Sequence, residues 1–164
     1  MLKVTLPSFP VDGGCACGAV RYELTAPPFA LFACHCADCQ TLTGAAFSLA
    51  MPIAPDTLRI TQGVLKKWVR VSGSGREIPQ YICGECGVRI YTAPPAPVST
   101  LTLRPGTLDD TRWLRPVAAF WRASAQPHVR FEDDMLVFDT QPDDFMPVVR
   151  AWRDSLATDV SHQG

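Results

Sequence analysis

A surplus of charge is the first thing this sequence lacks. Its 164 residues carry 15 Lys and Arg against 16 Asp and Glu, a net charge of −1 at pH 7. No basic patch or stripe argues for nucleic acid or an anionic membrane surface as a main partner. Long apolar runs are lacking too. No stretch is long and apolar enough to span a bilayer, and Met1 to Pro7 holds no apolar run of the kind a signal peptide needs. The expected location is therefore cytoplasmic. Internal repeats, low-complexity tracts, a Ser/His/Asp set and a phosphate-binding glycine loop are also missing. Cysteine is absent from most of the chain: all seven fall in four short motifs. The odd number argues against a complete disulfide framework. Thiols in a chain expected to be cytoplasmic are more often metal ligands or catalytic groups.

What is present suits one soluble domain. The length supports a real core, and 47% hydrophobic with 19% charged residues is ordinary globular composition. The motifs are Cys15-Ala16-Cys17, Cys34-His35-Cys36 running into Cys36-Ala37-Asp38-Cys39, and Cys83-Gly84-Glu85-Cys86. A C-x-C on an extended strand puts both thiols on one face. A C-x-x-C in a tight turn brings two thiols to one point, half of a tetrahedral zinc site. Four thiols make one closed site and three remain. Cys34, Cys36 and Cys39 lie close together in sequence, so the grouping favoured by spacing pairs Cys15 and Cys17 with Cys83 and Cys86. Spacing also admits Cys15 and Cys17 with Cys36 and Cys39. A closed four-cysteine site is structural, whereas three ligands leave a position open for water or substrate.

Strand signals dominate residues 19–103. Val20, Tyr22 and Leu24 alternate with polar neighbours. Residues 29–36 read as extended, followed by a strand through Phe47, Leu49 and Met51. Residues 58–60 and 64–71 read as a hairpin around Thr61-Gln62-Gly63. Ser72 to Gly75 is a connection, residues 88–92 and 98–103 are strands, residues 93–97 a loop, and Gly106 to Asp110 a turn. Met135 to Phe138 reads as a short strand. Phe145, Val148, Val149, Trp152 and Leu156 recur at helical spacing after Asp143 and Asp144, which suit a first helical turn. The tail from Thr158 is expected to be disordered.

Gly14-Cys15-Ala16-Cys17-Gly18, then Cys34 to Cys39 with Gly44 and Phe47-Ser48, then Cys83-Gly84-Glu85-Cys86-Gly87, together resemble the glutathione-dependent formaldehyde-activating (GFA) family, the centromere protein V/GFA-type domain. Gly106 to Asp110 resembles a further segment of that family. Phe120 stands where relatives often carry a His before the Trp. The resemblance implies a mainly β domain of the β-tent fold, with antiparallel sheets clamped by zinc, to which the helical spacing adds a short C-terminal helix. It implies a zinc-binding domain over residues 12–125; residues 126–157 lie outside the match and are expected as an extension packed on the same domain. Two zinc ions per chain are implied, one structural on Cys15, Cys17, Cys83 and Cys86, and one open on Cys34, Cys36 and Cys39. The implied activity is that of a carbon–sulfur lyase acting on a thiol–aldehyde adduct such as S-hydroxymethylglutathione. The implied partner is thus a small-molecule thiol or its adduct. The competing class is a non-enzymatic, zinc-stabilised protein-binding module.

The chemistry follows from the residue types. A thiol entering an open zinc vertex is bound as thiolate, and the metal serves as Lewis acid and template for C–S bond making or breaking. His35 lies between two ligand positions and on a strand points away from them, so it reads as a structural or supporting residue. Asp38 reads as a cap for backbone amides. Arg70, Arg76 and Arg89 are candidates to hold a substrate carboxylate, against the ordinary reading of solvated surface arginines. Trp113 and Trp121 read as core aromatics that could also wall a cleft.

Overall fold

The computed structural model describes residues 3–94 and 98–157. In chain order its elements are β1 (Val11–Gly14), β2 (Arg21–Leu24), β3 (Phe32–Cys34), α1 (Ala37–Thr43), β4 (Ser48–Ile53), β5 (Leu58–Gln62), β6 (Leu65–Val71), β7 (Glu77–Cys83), β8 (Arg89–Thr92), β9 (Leu101–Leu103), β10 (Ala118–Phe120), β11 (Leu136–Val137) and α2 (Met146–Ser155). The protein is mainly β. A three-stranded antiparallel sheet runs β1-β2-β5, and an eight-stranded sheet runs β11-β10-β3-β4-β9-β8-β7-β6.

The alternation around β2 does what its period demands. Val20, Tyr22 and Leu24 are buried, while Arg21 and Glu23 are only half-buried. The helical period near the C-terminus is α2, whose Val148, Val149 and Trp152 are buried. Trp152 donates its indole N–H to the Pro28 carbonyl at 3.1 Å, and Val4 bridges to Leu156, so α2 is tied to the early chain. The Asp144 carboxylate accepts the Met146 amide at 2.9 Å and satisfies a donor left free at the helix start.

The strand pairs are mostly antiparallel, as expected, with β10 alone pairing in parallel, to both β3 and β11. Several other expectations need correction. The expected hairpin of residues 58–60 with 64–71 does not form. Instead β5 pairs with β2, and β6 pairs with β7. Period-two patterning identifies a strand but not its partner. Here Gly63 packs so tightly on the Ala19 carbonyl that an added Cβ would stand 2.1 Å from it, which steers the chain onto the β2 lead-in. The extended run of residues 29–36 is a strand only over Phe32–Cys34, and the chain then enters α1. The strand of residues 98–103 is short, Leu101–Leu103. Residues 95–97 of the proline-rich loop and the tail from Thr158 lie outside the described residues.

Candidate metal centres

The structure gathers the cysteines at two points. The Sγ atoms of Cys15, Cys17, Cys83 and Cys86 all lie within 4.8 Å of one another, and so do those of Cys34, Cys36 and Cys39. The alternative pairing of Cys15 and Cys17 with Cys36 and Cys39 is thereby excluded. All seven cysteines are free thiols.

The four-sulfur cluster is built from two turns. Cys15 and Cys17 sit in the turn between β1 and β2, not on a strand as their spacing suggested. Cys83 ends β7, and Cys86 lies in the turn to β8. The turns have matching hydrogen bonds. The Cys15 amide donates to the Val20 carbonyl at 3.0 Å, and the Cys83 amide to the Val88 carbonyl at 2.9 Å. Gly87, at φ 75°, supplies the left-handed residue that lets the second turn close. Sγ separations are 3.5 Å for Cys15–Cys17 and 3.8 Å for Cys17–Cys83. Tetrahedral zinc with Zn–S bonds near 2.3 Å requires sulfurs about 3.8 Å apart, so the donor set fits that ion. The Val20 amide, donating to Cys15 Sγ at 3.2 Å, draws that thiol down to about 6. Cys17 goes up to about 12, because the Ala19 amide favours its thiolate but the neighbouring sulfurs, Cys15 foremost, outweigh it. β1 and β2 belong to the smaller sheet, β7 and β8 to the larger. The cluster therefore spans the two sheets.

The three-sulfur cluster is built around one helix start. Cys34 ends β3. Cys36 is the N-cap of α1, and its Sγ accepts the Cys39 amide at 3.4 Å. Gly44 closes the helix at φ 62°. A thiol cap thus places Cys36 and Cys39 one turn apart, beside the strand end. Hydrogen bonds from Cys34 and then Cys39 hold the Cys36 thiol far below its usual range. Those same contacts push Cys34 well up, with Cys36 the larger cause. Cys39 is also raised: Cys34 favours its thiolate, but Cys36 and burial prevail. Three sulfurs this close cannot all carry negative charge without a cation among them, which is the chemistry of a metal site.

Two arginines lie within electrostatic reach of this cluster. Arg89 donates to Gln80 Oε1 at 3.0 Å and to Ser48 Oγ at 3.3 Å. Arg104 donates to the same Ser48 Oγ at 3.4 Å and to Thr92 Oγ1 at 3.3 Å. Ser48 is the residue opposite Cys34 in the β3–β4 register. Burial lowers both guanidiniums, Arg104 to about 10, and the sulfurs of Cys39, Cys34 and Cys36 pull them back up. Arg104 was not legible in the sequence, since a single arginine after Leu-Thr-Leu belongs to no motif.

The remaining candidates divide. Arg70 pairs with Asp38 at 2.6 Å, so Asp38 anchors α1 to β6 and does not cap the helix. Arg76 is exposed and, with Thr92 and Thr102, lines a cavity of about 270 Å³. His35 is buried between Phe47, at 5.0 Å between ring centroids, and Phe131, at 5.3 Å, and burial lowers its basicity. Phe120 is buried and stacks on Phe32 at 4.1 Å. Trp113 and Trp121 pack against the core.

The family model described as glutathione-dependent formaldehyde-activating enzyme matches residues 10–124, most of the chain. The chain belongs to that family. A GFA-family identity agrees with the mainly β architecture and with both cysteine clusters. Among solved structures, the crystal structure of a Rhodobacter sphaeroides protein is similar at 20% identity, over 60% of this chain and 87% of that one, with a TM-score of 0.47. No curated protein matches the chain.

Proposed function

We propose that this GFA-family protein is a zinc-dependent carbon–sulfur lyase acting on thiol–aldehyde adducts such as S-hydroxymethylglutathione. The observation that carries the reading is that Cys34, Cys36 and Cys39 converge with no fourth cysteine near them, whereas the other four thiols complete their own cluster. On this reading Cys15, Cys17, Cys83 and Cys86 hold a structural zinc. Cys34, Cys36 and Cys39 hold a second, with one position open. Zinc held by these three sulfurs would bind the substrate sulfur as thiolate.

The chain's own groups then do the rest. The Cys34–Cys36–Cys39 cluster fixes where the substrate sulfur sits, because the strand end and the helix cap set all three side chains. In the lyase direction the C–S bond of the hemithioacetal breaks, and its electron pair stays on sulfur. The hydroxyl proton passes to water as the carbonyl forms, so one adduct yields one thiolate, one aldehyde and one proton. Addition is the same path reversed.

The test is metal analysis with and without glutathione, alongside assay of adduct cleavage. The expected result is two zinc ions in the parent, thiol binding at one of them, and loss of binding and turnover in Cys36→Ser. Normal thiol binding by Cys36→Ser would overturn the assignment and favour a zinc-stabilised binding module.

A further inference from the structure

The two arginines beside the three-thiol cluster pose a charge problem. A cation drawn largely out of water is costly unless it is paired, and both arginines are half-buried. Among the described residues no carboxylate pairs with Arg89 or Arg104. Their hydrogen-bond acceptors are Ser48, Gln80, Thr92 and the Leu49 carbonyl, all neutral. One hydroxyl, Ser48 Oγ, accepts from both guanidiniums, which brings two like charges together. The neighbouring Arg70 does not share in this, since Asp38 neutralises it. The negative charge that can balance the pair is on the sulfurs of the cluster that starts at Cys34, opposite Ser48 in the β3–β4 register.

The sum is informative. A divalent cation held by three thiolates bears one net negative charge. A substrate thiolate in the fourth position makes it two. Two guanidiniums match that total, whereas water in the same position would leave one positive charge in excess.

We infer that Arg89 and Arg104 are positioning residues that balance the charge of an anionic fourth ligand at the Cys34–Cys36–Cys39 site, and so favour thiolates over neutral ligands there. This rests on the open-site reading above. It also accounts for two cations held by neutral acceptors in a half-buried place, which packing alone would fill with apolar residues.

The test uses the zinc-loaded chain and two probes, 2-mercaptoethanol, which binds as an anion, and imidazole, which binds neutral. Binding is followed calorimetrically in the parent, Arg104→Met and Arg104→Lys, after zinc content is measured in each. Arg104→Met should weaken the thiol by about tenfold or more and leave imidazole within about twofold, and Arg104→Lys should recover most of the thiol affinity. Should Arg104→Met fold poorly, Arg89→Met is read in the same way. Equal losses for both probes, or an unchanged thiol affinity, would overturn the inference alone. A parent that holds two zinc ions yet takes neither probe would overturn the open-site reading, and the inference with it.

Discussion

Cys36 serves two purposes that can be separated by substitution. It is one of three converging sulfurs, and its Sγ also accepts the Cys39 amide as the cap of α1. Serine caps helices well and alanine does not. Cys36→Ser should therefore be more stable than Cys36→Ala by about 1 kcal/mol in denaturant unfolding, while both lose thiol binding. Equal stabilities would show that the cap contributes nothing. A second residue-scale prediction concerns Arg21 and Asp109, whose fork-like contact ties β2 to the turn after β9. The Arg21 hydrogen bonds hold the Asp109 carboxyl below its usual range. A depressed carboxyl contributes stability above its unfolded value, near pH 4, and loses it as pH falls through the folded value. The pair is largely exposed, so Asp109→Asn should cost at most about 1 kcal/mol at pH 7. Unfolding curves should show that difference vanish in acid. At this scale the cysteines were legible because thiols in C-x-C and C-x-x-C rarely arise from packing. Arg104 and Ser48 were not, because their meaning lies in strand register, which a single sequence does not display.

Elements were legible where burial imposes a period. The faces of β2 and α2 follow directly from alternate and helical spacing of apolar residues. Trp152 is the largest of the fully buried side chains, and its N–H has one acceptor, the Pro28 carbonyl. Trp152→Ala should cost about 3–5 kcal/mol, combining lost transfer energy with a cavity, read from the midpoint of denaturant unfolding. A cost below about 1 kcal/mol would mean that α2 is not integral to the core. α1 was missed for the opposite reason. It is 7 residues long and none of them is buried, so it leaves no hydrophobic stripe. It exists because Cys36 caps it, Gly44 ends it and Asp38 ties it to Arg70. The β5–β6 hairpin was misread because strand period carries no information about partners.

For the molecule as a whole, the four-sulfur cluster is a junction between sheets. Its first two cysteines belong to the turn of the smaller sheet and its last two to the β7–β8 turn of the larger. The three-sulfur cluster lies on one strand end and one helix, so it closes no such gap. In the proposed reading, metal at the first site contributes folding energy and the second is a place for chemistry. The most direct test compares Cys83→Ser and Cys36→Ser for melting temperature, zinc content and thiol binding. Cys83→Ser should lose the junction zinc and melt lower by roughly 10 °C or more, or fail to fold. Cys36→Ser should keep one zinc, melt close to the parent and bind no thiol. If Cys36→Ser melts as low as Cys83→Ser, or binds thiol like the parent, the division into a structural and a reactive site is contradicted.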